Sequence, residues 1–286
     1  MPELPEVETT RRGIAPRAIG NVVDGIDVFD GRLRWPIPRD LDRAFAGREI
    51  TRIDRRSKYL LFRCERTNHG STGVSSDPAL TLLVHLGMTG SLRWYPRDTA
   101  PSRKLHDHVD IRFRDGAILR YHDPRRFGAM LSVDDPIGEH PLLRSLGPEP
   151  FTHEFNADAL HKKLKSRSAA IKLALMDNHV VVGVGNIYAN EALFHAGIRP
   201  TRAANRVSRA RLGKLVDSVR ATLKKAIDSG GSTLRNYVDS EGDAGTFQLE
   251  YYAYGRAGMP CRVCGTTMKA ARQGGRASAY CPKCQT

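Results

Sequence analysis

The sequence predicts an α+β chain: an N-terminal region of short antiparallel strands, as a sandwich or barrel-like sheet, then a helical region, then a C-terminal four-Cys hairpin. Three observations carry this. Short apolar or alternating runs recur between residues 50 and 121, a proline-rich break follows at 134–150, and four cysteines close the chain as two Cys-x-x-Cys pairs. Several short strands separated by Gly, Pro and Asp clusters suit an antiparallel sandwich or barrel-like sheet.

Taken in order, residues 3–15 fit a helix, with Pro5 and glutamates in the first turn and Arg11 and Arg12 near the end, as the helix dipole favours. Ile50 and Ile53 lie in a basic strand, and Tyr59–Phe62 and Leu80–Val84 are compact apolar runs. Val109–Phe113 alternates with period two, and Ile118–Tyr121 does so less cleanly. Residues 65–79 are small and polar and read as a surface loop. Four prolines within 134–150 mark an interdomain linker. Apolar helices are expected from Ile171 to Met176 and from Asn186 to His195. Leu212, Leu215, Val216, Val219, Leu223 and Ile227 form the core stripe of a longer one, with Ser208 as N-cap and Gly230-Gly231 as its stop.

The charge is uneven. Of 45 Lys+Arg and 31 Asp+Glu, residues 199–286 hold 16 and 6, and residues 256–286 hold six basic side chains and no acid. This points to a polyanion such as nucleic acid, or else to a solvated basic face. No run of about 18 apolar residues exists, which argues against a membrane span. The acidic start, Met1-Pro-Glu-Leu-Pro-Glu, lacks a basic-then-apolar leader, so a cytoplasmic location is expected.

Cys261-Arg-Val-Cys264 and Cys281-Pro-Lys-Cys284 have the spacing of a tetrahedral four-thiolate zinc site. All four positions are sulfur, so no place is left for water and one structural Zn²⁺ is expected. Cys64, near a loop, reads as a bystander thiol. Three further features could carry chemistry. Gly183-Val-Gly185-Asn186 is a glycine-rich turn entering a helix, either a phosphate grip or a plain joint. The His122-Asp-Pro-Arg125-Arg126-Phe127 turn and Met88 could supply wedges for a base stack, or Met88 could be a core plug. Pro2 is small enough for the initiating Met to be removed, which leaves a secondary amine beside Glu3, able to form a Schiff base with a sugar carbon.

Six segments together resemble one family. They are Pro2–Thr9, Lys58-Tyr-Leu-Leu61, His85-Leu-Gly-Met88, Asp123-Pro-Arg-Arg-Phe127, Val182–Tyr188, and the finger ending Arg276-Ala-Ser-Ala-Tyr-Cys281. In this order they resemble bacterial formamidopyrimidine-DNA glycosylase, also called DNA-(apurinic or apyrimidinic site) lyase, over essentially the whole chain. The resemblance implies a catalytic β-sandwich over 1–134, a linker over 135–150, a helix–two-turn–helix DNA-binding domain over 151–255 and a zinc finger over 256–286, with DNA bound between them. It implies excision of oxidised purines (8-oxoguanine and formamidopyrimidines) from double-stranded DNA and β,δ-elimination at the abasic site by a monomer. Pro2 would be the nucleophile, Glu3 the acid/base, Lys58 the proton donor of β-elimination, and Arg276 the residue of δ-elimination. His106, Arg125, Arg167 and Asn186 match DNA contacts, with Arg126 beside them. Met88, Arg125 and Phe127 match residues that fill the gap left by the extruded base. In the 240–247 stretch Ala244 and Thr246 replace a proline and an aromatic often found in the lesion-contacting loop. The related endonuclease VIII type usually begins Pro-Glu-Gly-Pro-Glu, whereas here Leu4 takes the glycine's place. Intact Pro2, Glu3 and Lys58 argue against a non-catalytic damage binder.

Overall fold

The computed structural model describes residues 2–66, 78–232 and 246–286. Most of the loop expected over 65–79, and the lesion-loop stretch through Gly245, lie outside the described residues. The chain divides into two compact units, Met1–Arg144 with Gly230–Gly245, and Ser145–Ser229 with Thr246–Thr286.

The first unit opens with α1 (Leu4–Ala18), which continues past the end its sequence pattern suggests and buries Leu4, Val7, Ile14 and Ala18 completely. There follow β1 (Val23–Val28), a short α2 (Leu41–Phe45), β2 (Arg48–Arg56), β3 (Tyr59–Arg66), β4 (Leu80–His85), β5 (Ser91–Tyr95), β6 (Asp107–Phe113), β7 (Ile118–His122) and β8 (Ala129–Asp134). They make two four-stranded sheets, ordered β1-β6-β7-β5 and β2-β3-β4-β8, antiparallel throughout. Two open sheets decide for a sandwich over a barrel. Ile26, Val109 and Leu119 from one sheet share a single core with Ile53, Leu60 and Val84 from the other and with Val7 and Ile14 of α1. Each such side chain contributes about 1.5–3 kcal/mol on burial. Cys64 lies on β3 within this core, 1% exposed, two residues before the end of the strand. Burial pushes its thiol up to about 12, so it is unreactive.

The second unit holds α3 (Ala157–Leu164), α4 (Ile171–Leu175), α5 (Asn186–His195), α6 (Arg209–Asp228) and the hairpin of β9 (Lys269–Gln273) and β10 (Arg276–Tyr280). Asn156 starts α3 by accepting the Asp158 and Ala159 N–H groups at 3.0 and 2.9 Å. Ser208 caps α6, whose six stripe residues are all buried. The finger belongs to this unit through a small core in which Phe194 of α5 packs with Ala253, Met268, Ala279, Cys261 and Cys281. Among the described residues no helix is long and apolar enough to cross a membrane.

Candidate functional site

In the first unit the amino end is fixed by one carboxylate. Glu6, 1% exposed, accepts the Glu3 N–H at 2.7 Å and the Ser232 N–H at 2.8 Å. Pro2 and Glu3 are both buried at the head of α1. That helix is tied to β2 through Glu8, which binds Arg55 at 3.2 Å while also holding Arg11 and Arg12 on its own helix. Against the burial that would raise it, these three guanidiniums keep the Glu8 carboxyl below its ordinary value. β2 leads straight to Lys58. Arg56 pairs with Tyr59, so Ser57 and Lys58 form a two-residue hairpin turn, with Ser57 at φ 56° as a turn of this hand requires at its first central position.

His85 ends β4, and its ring lies 4.9 Å from that of Tyr59. Its Nδ1 accepts the Gly87 N–H at 3.0 Å, which assigns the ring proton to Nε2. Burial, then the charges of Lys58 and Arg34, lower the His85 pKa to about 4, so the ring is neutral near pH 7. In the sequence His85 stands out only as part of a motif; its coupling to Lys58 arises from the pairing of β3 with β4.

The Met88 loop and the Phe127 turn meet backbone to backbone. Gly87, at φ +64°, leaves no room for a Cβ, which would come within 2.5 Å of the Phe127 carbonyl carbon and 2.6 Å of the Gly128 nitrogen. Asp123, 0% exposed, locks the pair. It accepts the Thr89 hydroxyl at 2.7 Å from one loop, and the Gly128 N–H at 2.9 Å and Tyr121 hydroxyl at 3.3 Å from the other side. Met88 and Phe127 are left 37% and 42% exposed, which removes the core-plug reading of Met88. The Arg125 guanidinium lies over the Phe127 ring at 4.7 Å. Arg126 pairs with Asp30 at 2.8 Å. His106, at φ 78°, has a buried Nδ1 without a hydrogen-bond partner among the described residues.

In the second unit Arg167 is paired with Asp177 at 2.6 Å. Asn186 opens α5 after Gly183 (φ 80°), and its Oδ1 is buried without a hydrogen-bond partner among the described residues. The Asn190 amide links this helix end to the finger, donating to the Asn186 carbonyl at 2.6 Å and accepting the Ala279 N–H at 3.3 Å. The fully buried Lys172 donates to the Ala277 carbonyl at 2.9 Å and the Ser278 hydroxyl at 2.6 Å. Arg276 stands exposed at the start of that strand, beyond the Gly274-Gly275 turn whose φ values of 53° and 74° only glycine adopts freely. Asp123, Lys172 and Asn190 carry no sequence signal of their roles, because each acts on a residue distant in the chain or by burial alone.

The sulfurs of Cys261, Cys264, Cys281 and Cys284 lie within 4.8 Å of one another, with contacts of 3.4, 3.4 and 4.0 Å. A disulfide needs about 2.05 Å, whereas sulfurs about 2.3 Å from one tetrahedral zinc stand roughly 3.8 Å apart. The Val263 and Cys284 N–H groups point at the Cys261 and Cys281 sulfurs, each at 3.4 Å. Hydrogen bonds from Thr266 lower the Cys264 thiol to about 6, while its bond to Cys264 raises Cys284 to about 12. Four thiols this close do not all ionise without a cation between them. The donor set fits one structural Zn²⁺ and leaves no open position.

The chain matches three family models: the formamidopyrimidine-DNA glycosylase N-terminal domain over 1–130, the H2TH domain of the same enzyme over 146–238, and a zinc finger found in FPG and IleRS over 258–286. It is 52% identical over 285 residues to the formamidopyrimidine-DNA glycosylases of Pseudomonas syringae pv. tomato and Stutzerimonas stutzeri, covering 100% of each chain. Its fold is similar to the MutM (Fpg) protein of Thermus thermophilus, with TM-score 0.84 and 35% identity over 99% of this chain and 98% of that one. It is also similar to a Lactococcus lactis Fpg variant in complex with Fapy-dG-containing DNA, with TM-score 0.86 and 34% identity over 100% of both chains. A two-sheet sandwich, an H2TH helical unit and a four-thiolate zinc hairpin on one chain define a class, the zinc-finger DNA glycosylases. Within it, this chain belongs to the formamidopyrimidine-DNA glycosylase family.

Proposed function

We propose that Pro2, exposed by removal of Met1, is the nucleophile of a base-excision repair enzyme acting on oxidised purines in double-stranded DNA. As a member of its family the chain is a bifunctional DNA N-glycosylase and AP lyase. The observation that carries the assignment is the tethered amino end. Glu6 holds the Glu3 backbone and Ser232 together, so the Pro2 amine is presented from a rigid helix start rather than a fraying terminus.

The chemistry follows from the groups. A purine inside a duplex is out of reach until it is flipped out, at a cost of roughly a few kcal/mol. Met88, Arg125 and Phe127 offset part of that cost by filling the vacated step. The Pro2 nitrogen bonds to C1′ as the base departs, and opening of the sugar ring yields an iminium, with Glu3 moving the proton at the ring oxygen. The iminium acidifies the C2′ proton, and its loss breaks the 3′ carbon–oxygen bond. Lys58, in the turn beside the amino-end helix, serves the proton transfers of this step. A second elimination removes the C4′ proton and breaks the 5′ carbon–oxygen bond, expelling the 5′ phosphate, with the Arg276 guanidinium stabilising the charge that develops on it. His106, Arg126, Arg167 and the Asn186 end of α5 hold backbone phosphates. DNA as substrate places the enzyme with the nucleoid in the bacterial cytoplasm.

Borohydride trapping on a duplex bearing 8-oxoguanine opposite cytosine, followed by peptide mapping, tests the assignment. The reduced sugar should be found on Pro2. An adduct on Lys58 or another lysine overturns it.

A further inference from the structure

Beside Phe127 lies a concavity of about 400 Å³ lined by Arg32, Leu33, Arg34, Arg125, Arg126 and Phe127. Four arginines thus line one space whose lining holds no carboxylate. Cations gathered in a concave site raise the local potential and draw in an anion. Two of these arginines, Arg32 and Arg126, share one carboxylate. Asp30, outside that lining, binds Arg32 through two oxygens at 2.9 Å each, and one of those oxygens takes Arg126 at 2.8 Å. Arg126 keeps a backbone φ of 56°, a left-handed conformation unfavourable for a side chain with a Cβ and one that the surrounding structure must enforce. The Arg32 bonds, then the Arg126 charge, hold the Asp30 carboxyl well below the usual carboxylate range, so it remains an acceptor for both arginines.

We propose that Arg32 and Arg126, aligned by Asp30 with Arg34 beside them, bind a DNA backbone phosphate adjacent to the base step that Phe127 enters. A phosphate presents oxygens to two guanidinium forks at once, and Asp30 fixes the angle between those forks without entering the cavity. The ligand is a phosphodiester, supplied by either the lesion-bearing or the opposite strand. The inference rests on the reading that this chain grips duplex DNA around Phe127. It extends the phosphate contact already read at Arg126, with Arg32, Arg34 and Asp30 as new members.

The sign of one substitution separates a built site from general positive charge. Asp30→Asn makes the protein more positive, so bulk electrostatics predicts tighter DNA binding. An aligned site predicts the reverse, about threefold to tenfold weaker binding, measured by fluorescence anisotropy on a duplex carrying a tetrahydrofuran abasic analogue. Arg32→Gln, whose wild-type side chain is 79% exposed and whose loss should leave the fold intact, should lower the slope of log K against log salt by about 0.9. Methylphosphonates placed singly at the three phosphates on each side of the lesion, in either strand, then locate the partner. One of them should weaken the wild type but add nothing to Arg32→Gln. Unchanged or tighter binding by Asp30→Asn overturns the proposal, as does full additivity of Arg32→Gln with every methylphosphonate. Trapping of the wild type on a single-stranded abasic oligonucleotide reads the Pro2 assignment separately; its failure would leave the anisotropy results standing.

Discussion

Replacing Asp123 with alanine should separate the fit of the wedge loops from the chemistry. Its carboxylate is fully buried and receives the Thr89 hydroxyl at 2.7 Å, the Gly128 N–H at 2.9 Å and the Tyr121 hydroxyl at 3.3 Å. Tyr121 retains an alternative acceptor in the His85 carbonyl at 3.3 Å, so its loss is small. The Gly128 N–H and Thr89 hydroxyl have no such replacement among the described residues, and each stranded buried donor costs about 1–3 kcal/mol. The sum, roughly 4 kcal/mol, corresponds to a fall in melting temperature of about 10 °C for a unit of this size. Asp123→Asn keeps one acceptor oxygen and should lose about half as much. Calorimetry reads the stability. Product gels on lesion duplex and on single-stranded abasic DNA read the function, and under the proposed gap-filling role of Met88 and Phe127 the duplex should suffer more. A melting point within about 2 °C of wild type, or equal losses on the two substrates, would refute this account of the Asp123 lock.

Three further outcomes are expected. Chelation of zinc should abolish DNA binding while circular dichroism keeps most of the helix and strand signal, because the four cysteines close only the final hairpin; normal cleavage after chelation would contradict the structural-zinc role. Met88→Ala with Phe127→Ala should lower cleavage of lesion duplex at least about tenfold more than cleavage of a single-stranded abasic oligonucleotide, since both side chains are exposed and little of the core is disturbed; matched losses would indicate a folding defect. Arg276→Ala should still form the Schiff base and nick DNA but should accumulate the β-elimination product with its 3′ sugar remnant; a mutant yielding only 3′-phosphate ends removes Arg276 from the second elimination.

Local patterns spoke clearly where the cause is local. The Cys-x-x-Cys pairs, the α5 boundaries at Asn186 and His195, and the α6 stripe with its Ser208 cap are legible in sequence because a thiol pair or an amphipathic period needs only neighbours along the chain. Weaker elements were not legible. β1, β5 and β8 carry too few alternating apolar residues to stand out, and α3 is a short helix resting on its Asn156 cap. These segments adopt regular structure because a neighbouring strand or a buried face completes them.

What the sequence by itself determined is the inventory of candidate groups: a proline behind Met1, a cysteine tetrad with zinc-site spacing, two adjacent arginines in one turn and a glycine-marked helix start. Only the tertiary structure decided which of these work together. Gly87 meets Phe127 from a distant part of the chain, Asp123 reaches back to Thr89, Asp30 aligns Arg126, and Lys172 fastens the strand that follows Arg276. Each is a single hydrogen bond or close approach between distant segments. No periodicity records such a contact, because it depends on the pairing register of whole sheets and helices and on the exclusion of water from the place where the groups meet.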